Sequence, residues 1–109
     1  MSYDIHITRA SHWMNYEELP ISLEELKEYF SSKPDFEYSK LLTIATDPFT
    51  MTIQGDFFIW KSEEGEIPFR LTNGNLALSN GDDEFVMDKM KEIAADLHAI
   101  VQGDEGEIY

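Results

Sequence analysis

Val86, Met90, Ile93 and Leu97 recur at i, i+4, i+7 and i+11, which aligns them along one face of a 3.6-residue helix. A stripe of this kind must be covered by another apolar surface. Upstream, the chain supplies runs of period two, the repeat of a half-buried strand. Helix against sheet is therefore the packing the chain must solve, and the class it predicts is α+β.

The strands are readable in order. Tyr3, Ile5 and Ile7 alternate with Asp4, His6 and Thr8, giving one buried face and placing His6 on the polar one. Residues 9–20 lose periodicity and read as a loop. Trp13 within it is an anchor folded back on the core or an exposed contact; the anchor is favoured because large rings usually stay mostly buried. Ser22 and Glu25 make an S-x-x-E capping box, with Ile21 and Leu26 at the staple positions. Leu23, Leu26, Tyr29 and Phe30 form that helix's apolar face, and Ser31-Ser32-Lys33-Pro34 ends it.

Between the helices the pattern is a meander. Leu42 and Ile44 alternate within 38–46, and Asp47-Pro48 breaks the run. Phe49, Met51 and Ile53 follow, and Gln54-Gly55-Asp56 reads as a tight turn. Phe57-Phe58-Ile59-Trp60 is apolar on both faces, as in a strand covered on both sides. Ser62-Glu63-Glu64-Gly65 is a further turn, and Asn73-Gly74 is the strongest hairpin signal in the chain. Asn80-Gly81-Asp82 offers cap chemistry for the second helix. Ala99, Ile100 and Val101 read as a last short strand. The expected order is β-α-β-β-β-β-β-α-β, an antiparallel sheet of about six to seven strands with two helices packed against it, in a single domain spanning 1–109.

Charge narrows the function. Twenty-two Asp and Glu oppose eight Lys and Arg, a formal −14. That field repels phosphate backbones and anionic membrane surfaces and attracts cationic proteins, so neither nucleic acid nor membrane is an expected partner. Acidic surfaces also simply keep small proteins soluble. With no cysteine, disulfides, thiolate metal sites and cysteine nucleophiles are excluded. Met1-Ser2-Tyr3-Asp4-Ile5-His6 has neither a basic nor an apolar leader region, so a cytoplasmic protein is expected.

Catalytic signatures are missing. There is no G-x-S-x-G, no phosphate loop and no G-x-G-x-x-G. A metal trio of Asp4, His6 and His98 is conceivable if the terminal strands pair, but no H-x-x-x-H or E-x-x-H spacing supports it. His12 and the other histidines carry no readable role. The Gly103-Asp104-Glu105-Gly106-Glu107 run lacks the spacing of a calcium loop. No enzyme, no metal and no cofactor is the expectation.

The acidic terminus is the candidate contact. Asp104, Glu105 and Glu107 combine with apolar Ile108 and the ring of Tyr109, a mixture suited to an Arg/Lys-rich partner. Glu17 and Glu18 are the next candidates. A frayed, solvated tail is the competing reading, unless Tyr109 packs on the sheet and ties the loop down.

The opening Tyr3-Asp4-Ile5-His6-Ile7-Thr8-Arg9, Trp13, Ile21-Ser22-Leu23-Glu24-Glu25, the run ending at Trp60, and Lys89-Met90 through Val101-Gln102-Gly103-Asp104-Glu105-Gly106-Glu107 to Tyr109 together resemble a family of small bacterial immunity proteins. The sequence differs from the family's pattern at Leu26, where a tryptophan is usual, and at Asn80-Gly81-Asp82, where Asn-Pro-Asp is usual. The resemblance implies an immunity protein of contact-dependent growth-inhibition or polymorphic toxin systems. Such a protein binds a cognate toxin C-terminal domain, here expected to be cationic and nuclease-type, and blocks its cleft. A general protein–protein interaction domain or a housekeeping protein without a toxin is the alternative.

Overall fold

The computed structural model describes residues 3–15, 17–79 and 83–109. The fold is α+β, with a six-stranded antiparallel sheet and two α-helices. In chain order these are β1 (Asp4–Thr8), α1 (Leu23–Ser31), β2 (Phe36–Thr46), β3 (Phe49–Ser62), β4 (Gly65–Thr72), β5 (Asn75–Ser79), α2 (Glu84–Asp96) and β6 (Ile100–Gly103), with one 3-10 turn at Trp13–Asn15. No helix among the described residues is long and apolar enough to cross a membrane. The chain groups into two compact units, Met1–Ser22 with Thr72–Tyr109, and Leu23–Leu71.

In the first unit β1 lies between β5 and β6. Ile5 pairs with Leu78 and Gly103, and Ile7 with Leu76 and Val101. Alternation puts Ile5 and Ile7 on one face of β1, and α2 packs on β1 and β6. Val86, Met90, Ile93 and Leu97 are all buried, with Met87 and Ala94 widening the stripe. This unit therefore has the helix-on-sheet core that the periodicity demands.

The ends of α2 are both closed. Asp83 is the N-cap, its side chain accepting from the Phe85 N–H at 2.8 Å; the expected cap at residues 80–82 lies outside the described residues. At the other end Arg9 Nε donates to the Leu97 carbonyl at 2.7 Å. A cation there satisfies an orphan carbonyl and suits the negative end of the helix dipole.

Asn73 and Gly74 both take positive φ, 50° and 73°, as a primed hairpin turn requires. The Gly74 carbonyl accepts from the Ile21 N–H at 2.9 Å. A β-carbon at Gly74 would sit 2.7 Å from Pro20 Cβ, so glycine is needed here for space as well as for φ.

In the second unit α1 packs beside a β2-β3-β4 meander. Leu26, Phe30, Phe57, Phe58, Trp60 and Phe69 are buried. The Phe30 ring lies 4.8 Å from that of Phe58 and 4.4 Å from that of Phe36, centroid to centroid. Trp60 Nε1 donates to Asp35 at 3.1 Å, which satisfies the indole's one donor.

One turn expected from sequence is not a turn. Gln54-Gly55-Asp56 lies inside β3, which runs unbroken from Phe49 to Ser62. Ser39 pairs with Phe57 and Leu41 with Gln54, so Gly55 and Asp56 together oppose Lys40 alone. The residues that mimic a turn signal accommodate a β-bulge. A β-carbon at Gly55 would come within 3.2 Å of Arg70 Nε and the Phe57 ring, so the glycine serves a close approach. Merging two expected strands into β3 gives six strands. β4 joins β3 only from Asp56 onward, leaving the far half of the β2–β3 hairpin two-stranded, with Leu41, Ile44, Phe49 and Met51 exposed.

Candidate functional site

The two ends of the chain meet on the first unit's sheet. β1 and β6 pair from Ile5 opposite Gly103 to Thr8 opposite Ile100. His6 and Thr8, expected on a polar, solvated face, are buried, His6 at 5% exposure and Thr8 at 0%. The reason is the loop after β1. The Trp13 indole stacks on the His6 ring at 4.1 Å between centroids and 6° between planes, roofing that side of the strand.

Trp13 is held as an anchor by three polar contacts. Its backbone N–H donates to Gln102 Oε1 at 2.7 Å, and its Nε1 donates to the Asp104 carbonyl at 3.2 Å. Its own carbonyl accepts from Asn75 Nδ2 at 2.8 Å. His12 stacks at 5.8 Å. Trp13 is neither fully buried nor exposed, so hydrogen bonds and stacking add to partial burial in fixing it.

Asp104 ties the terminus to β1. Its two carboxylate oxygens take the Asp4 N–H and His6 Nε2, each at 2.8 Å. Burial opposes its ionisation, but the Asp4 N–H and the His6 ring outweigh that and hold the carboxyl below its ordinary range. Glu107 accepts from the Tyr3 hydroxyl, and that bond holds the Glu107 carboxyl low while pushing the Tyr3 phenol up to about 12. Backbone bonds finish the clamp: Gly103 N–H to Glu107, Gly106 N–H to Gly103, and Tyr109 N–H to Val101.

The contact candidates named from sequence therefore separate. Asp104 and Glu107 are engaged within the fold, Asp104 with both oxygens. Glu105, Ile108 and Tyr109 are exposed on the clamped turn, with Tyr109 secured through its N–H and 43% exposed as a residue. Glu17 and Glu18 are exposed beside Met14 and Asn15 around a surface depression of about 430 Å³. Glu18 accepts from the Ser11 hydroxyl at 3.1 Å. Loop and terminus touch, since a β-carbon at Gly106 would stand 2.9 Å from His12 Nε2.

The metal trio does not assemble. His6 Nε2 takes Asp104, His98 is exposed at the α2–β6 junction, and among the described residues no three acidic, His or Cys side chains form a metal-holding group. Asn75 and Gln102 are the site residues sequence reasoning missed. Gln102 had a signal: a lone amide closing the apolar run Ile100-Val101, buried to 2% exposure because Trp13 needs its oxygen. Comparison with protein-family models, curated proteins and solved structures finds no match for this chain.

Proposed function

We propose that the protein is a non-enzymatic, cytoplasmic immunity protein that binds a cationic toxin domain, nuclease-type, and occludes its phosphate-binding cleft. The observation that carries this reading is the clamped terminus. Glu105, Ile108 and Tyr109 sit on a turn held by Asp104, Glu107 and the Tyr109 N–H, so they are presented in a set geometry instead of fraying. A pre-ordered surface loses less entropy on docking, which favours tight binding.

Charge supports it further. The −14 field steers a basic partner inward, and acidic side chains can stand in for the phosphates a nuclease cleft is built to hold. The stretches that carry the family resemblance, 3–9 and 101–109, are hydrogen-bonded neighbours. The test is co-purification with the product of the adjacent upstream gene, and inhibition of that product at low salt. Absence of both binding and inhibition there would sink the reading.

A second reading, a general interaction domain, is favoured by one observation: the β2–β3 hairpin exposes Leu41, Ile44, Phe49 and Met51. It predicts that Phe49→Ser and Met51→Ser abolish partner capture, while charge reversals at Glu17, Glu18 and Glu105 do not.

A further inference from the structure

Residues 41–55 hold one charged side chain, Asp47, in a chain that is 28% charged. They form the far half of the β2–β3 hairpin, which β4 joins only from Asp56. Leu42 stands opposite Ile53 and Ile44 opposite Met51, and alternation along β3 adds Phe49, so one face of this arm is apolar. Thr43, Ala45, Thr50 and Thr52 lie on the other face. Phe49 is 76% exposed, Met51 58% and Ile44 40%. A two-stranded ribbon is marginal in water without a third strand or a packed face, so a cover over this one stabilises it.

Charge selects the cover. A cationic surface is steered to carboxylates and gains little from an uncharged face. Two copies of this chain repel each other at −14 apiece, and the arms let them meet with one carboxylate each. The arm's ends are opposite in sign, Lys40 at the base and Asp47 at the tip. At about 3.4 Å per residue they are about 24 Å apart along the strand, roughly three Debye lengths at physiological salt. Neither has an ion-pair partner among the described residues. Two arms stacked face to face with tips reversed set each Asp47 beside the other copy's Lys40.

We propose that two copies of the chain associate through this arm, apolar face on apolar face about a two-fold axis. Two strands of about six residues offer a face of about 20 Å by 10 Å, well below the roughly 800 Å² per partner of a standard interface. The dimer is therefore weak and reversible. It does not rest on the toxin reading, and salt separates the two. Screening weakens the attraction of an acidic chain for a basic partner, but it relieves the repulsion between two acidic chains.

The experiment is sedimentation equilibrium of the full chain from about 10 μM to about 1 mM, at low and at high salt. A monomer–dimer equilibrium that tightens with salt is expected, weakened at least about tenfold when Phe49→Ser and Met51→Ser are combined. The chain has no cysteine, so single cysteines report which face is covered. Met51→Cys should cross-link into a disulfide dimer on oxidation, and Thr52→Cys, on the opposite face, should not. A chain that stays monomeric at every concentration and salt overturns the proposal. So does a dimer unchanged in the folded double variant, or equal cross-linking from both cysteine positions. Should the double variant fail to fold, the two cysteine variants decide by themselves. Binding to phosphatidylcholine vesicles by a chain that remains monomeric also overturns it, and assigns the arm to a lipid surface.

Discussion

His6 donates through Nε2 to Asp104 at 2.8 Å, joining residues 98 positions apart across the β1–β6 pair. The same carboxylate takes the Asp4 N–H, and its residue's carbonyl takes the Trp13 indole N–H. One acidic residue thus holds the strand, the roofing loop and the terminus together.

Asp104→Asn tests that clamp. An amide offers one acceptor where both carboxylate oxygens are used, so its NH2 must face a donor. Stability should fall by about 1–3 kcal/mol, even though removing a negative charge from this chain relieves repulsion elsewhere. Urea unfolding followed by tryptophan fluorescence reads it; an unchanged or raised midpoint would remove Asp104 from the clamp.

The pH dependence has a defined sign at both ends. Asp104 and Glu107 are held below their ordinary values of 3.8 and 4.5, so their stabilisation is complete above those values and is lost as pH falls below them. Tyr3 is raised from 10 to about 12, so its contribution is complete below pH 10 and is lost as pH rises through the folded value. Tyr38 is raised as well, by its hydrogen bond to Asp56, so ultraviolet titration should show two late-ionising tyrosines among the described residues, one of them missing in Tyr3→Phe. Gly103→Ala should abolish the same late phase, because its methyl would collide with the Glu107 carboxylate and the Tyr3 hydroxyl.

Gly74→Ala should destabilise by about 2 kcal/mol, because alanine meets both the positive φ and the Pro20 side chain. Thermal unfolding measures it. A midpoint equal to that of the unaltered chain would mean that the turn relaxes freely and that the Ile21–Gly74 bond contributes nothing.

Phe58→Ala should cost about 3–5 kcal/mol, since Phe58 is fully buried against Phe30 and Tyr38 and truncation removes both ring contacts. Chemical denaturation of the variant is the check, with a loss under 1 kcal/mol as the contrary result.

Reversing Glu17, Glu18 and Glu105 together to lysine should slow association with a basic partner roughly tenfold at low salt, and less as salt rises. Folding stability should move by no more than about 0.5 kcal/mol, because these side chains are exposed. Stopped-flow association across a salt series separates the effects. A salt-independent rate would remove steering from the mechanism.

Periodicity was enough to determine the helix stripe Val86-Met90-Ile93-Leu97, the first helix with its stop at Pro34, and the hairpin at Asn73-Gly74, because each depends on local geometry and on which residues avoid water. The bulge at Gly55-Asp56 was illegible, since a glycine–aspartate pair carries the same local preference in a turn and in a bulge, and only the partner strand distinguishes them. Burial of His6 was equally hidden. Its alternation with Ile5 and Ile7 places it on the opposite face, and that face becomes interior only because Trp13 folds over it from a loop with no periodicity. The sequence by itself determined the element types, the charge and the acidic, aromatic ending. Only tertiary structure decided that the Asp104 and Glu107 carboxylates are taken up by Asp4, His6 and Tyr3, Glu107 at an exposed position, while Glu105 and Tyr109 present exposed side chains. Identical carboxylates differ in role by what the fold brings within hydrogen-bond reach, and contacts across about a hundred residues have no signature in spacing.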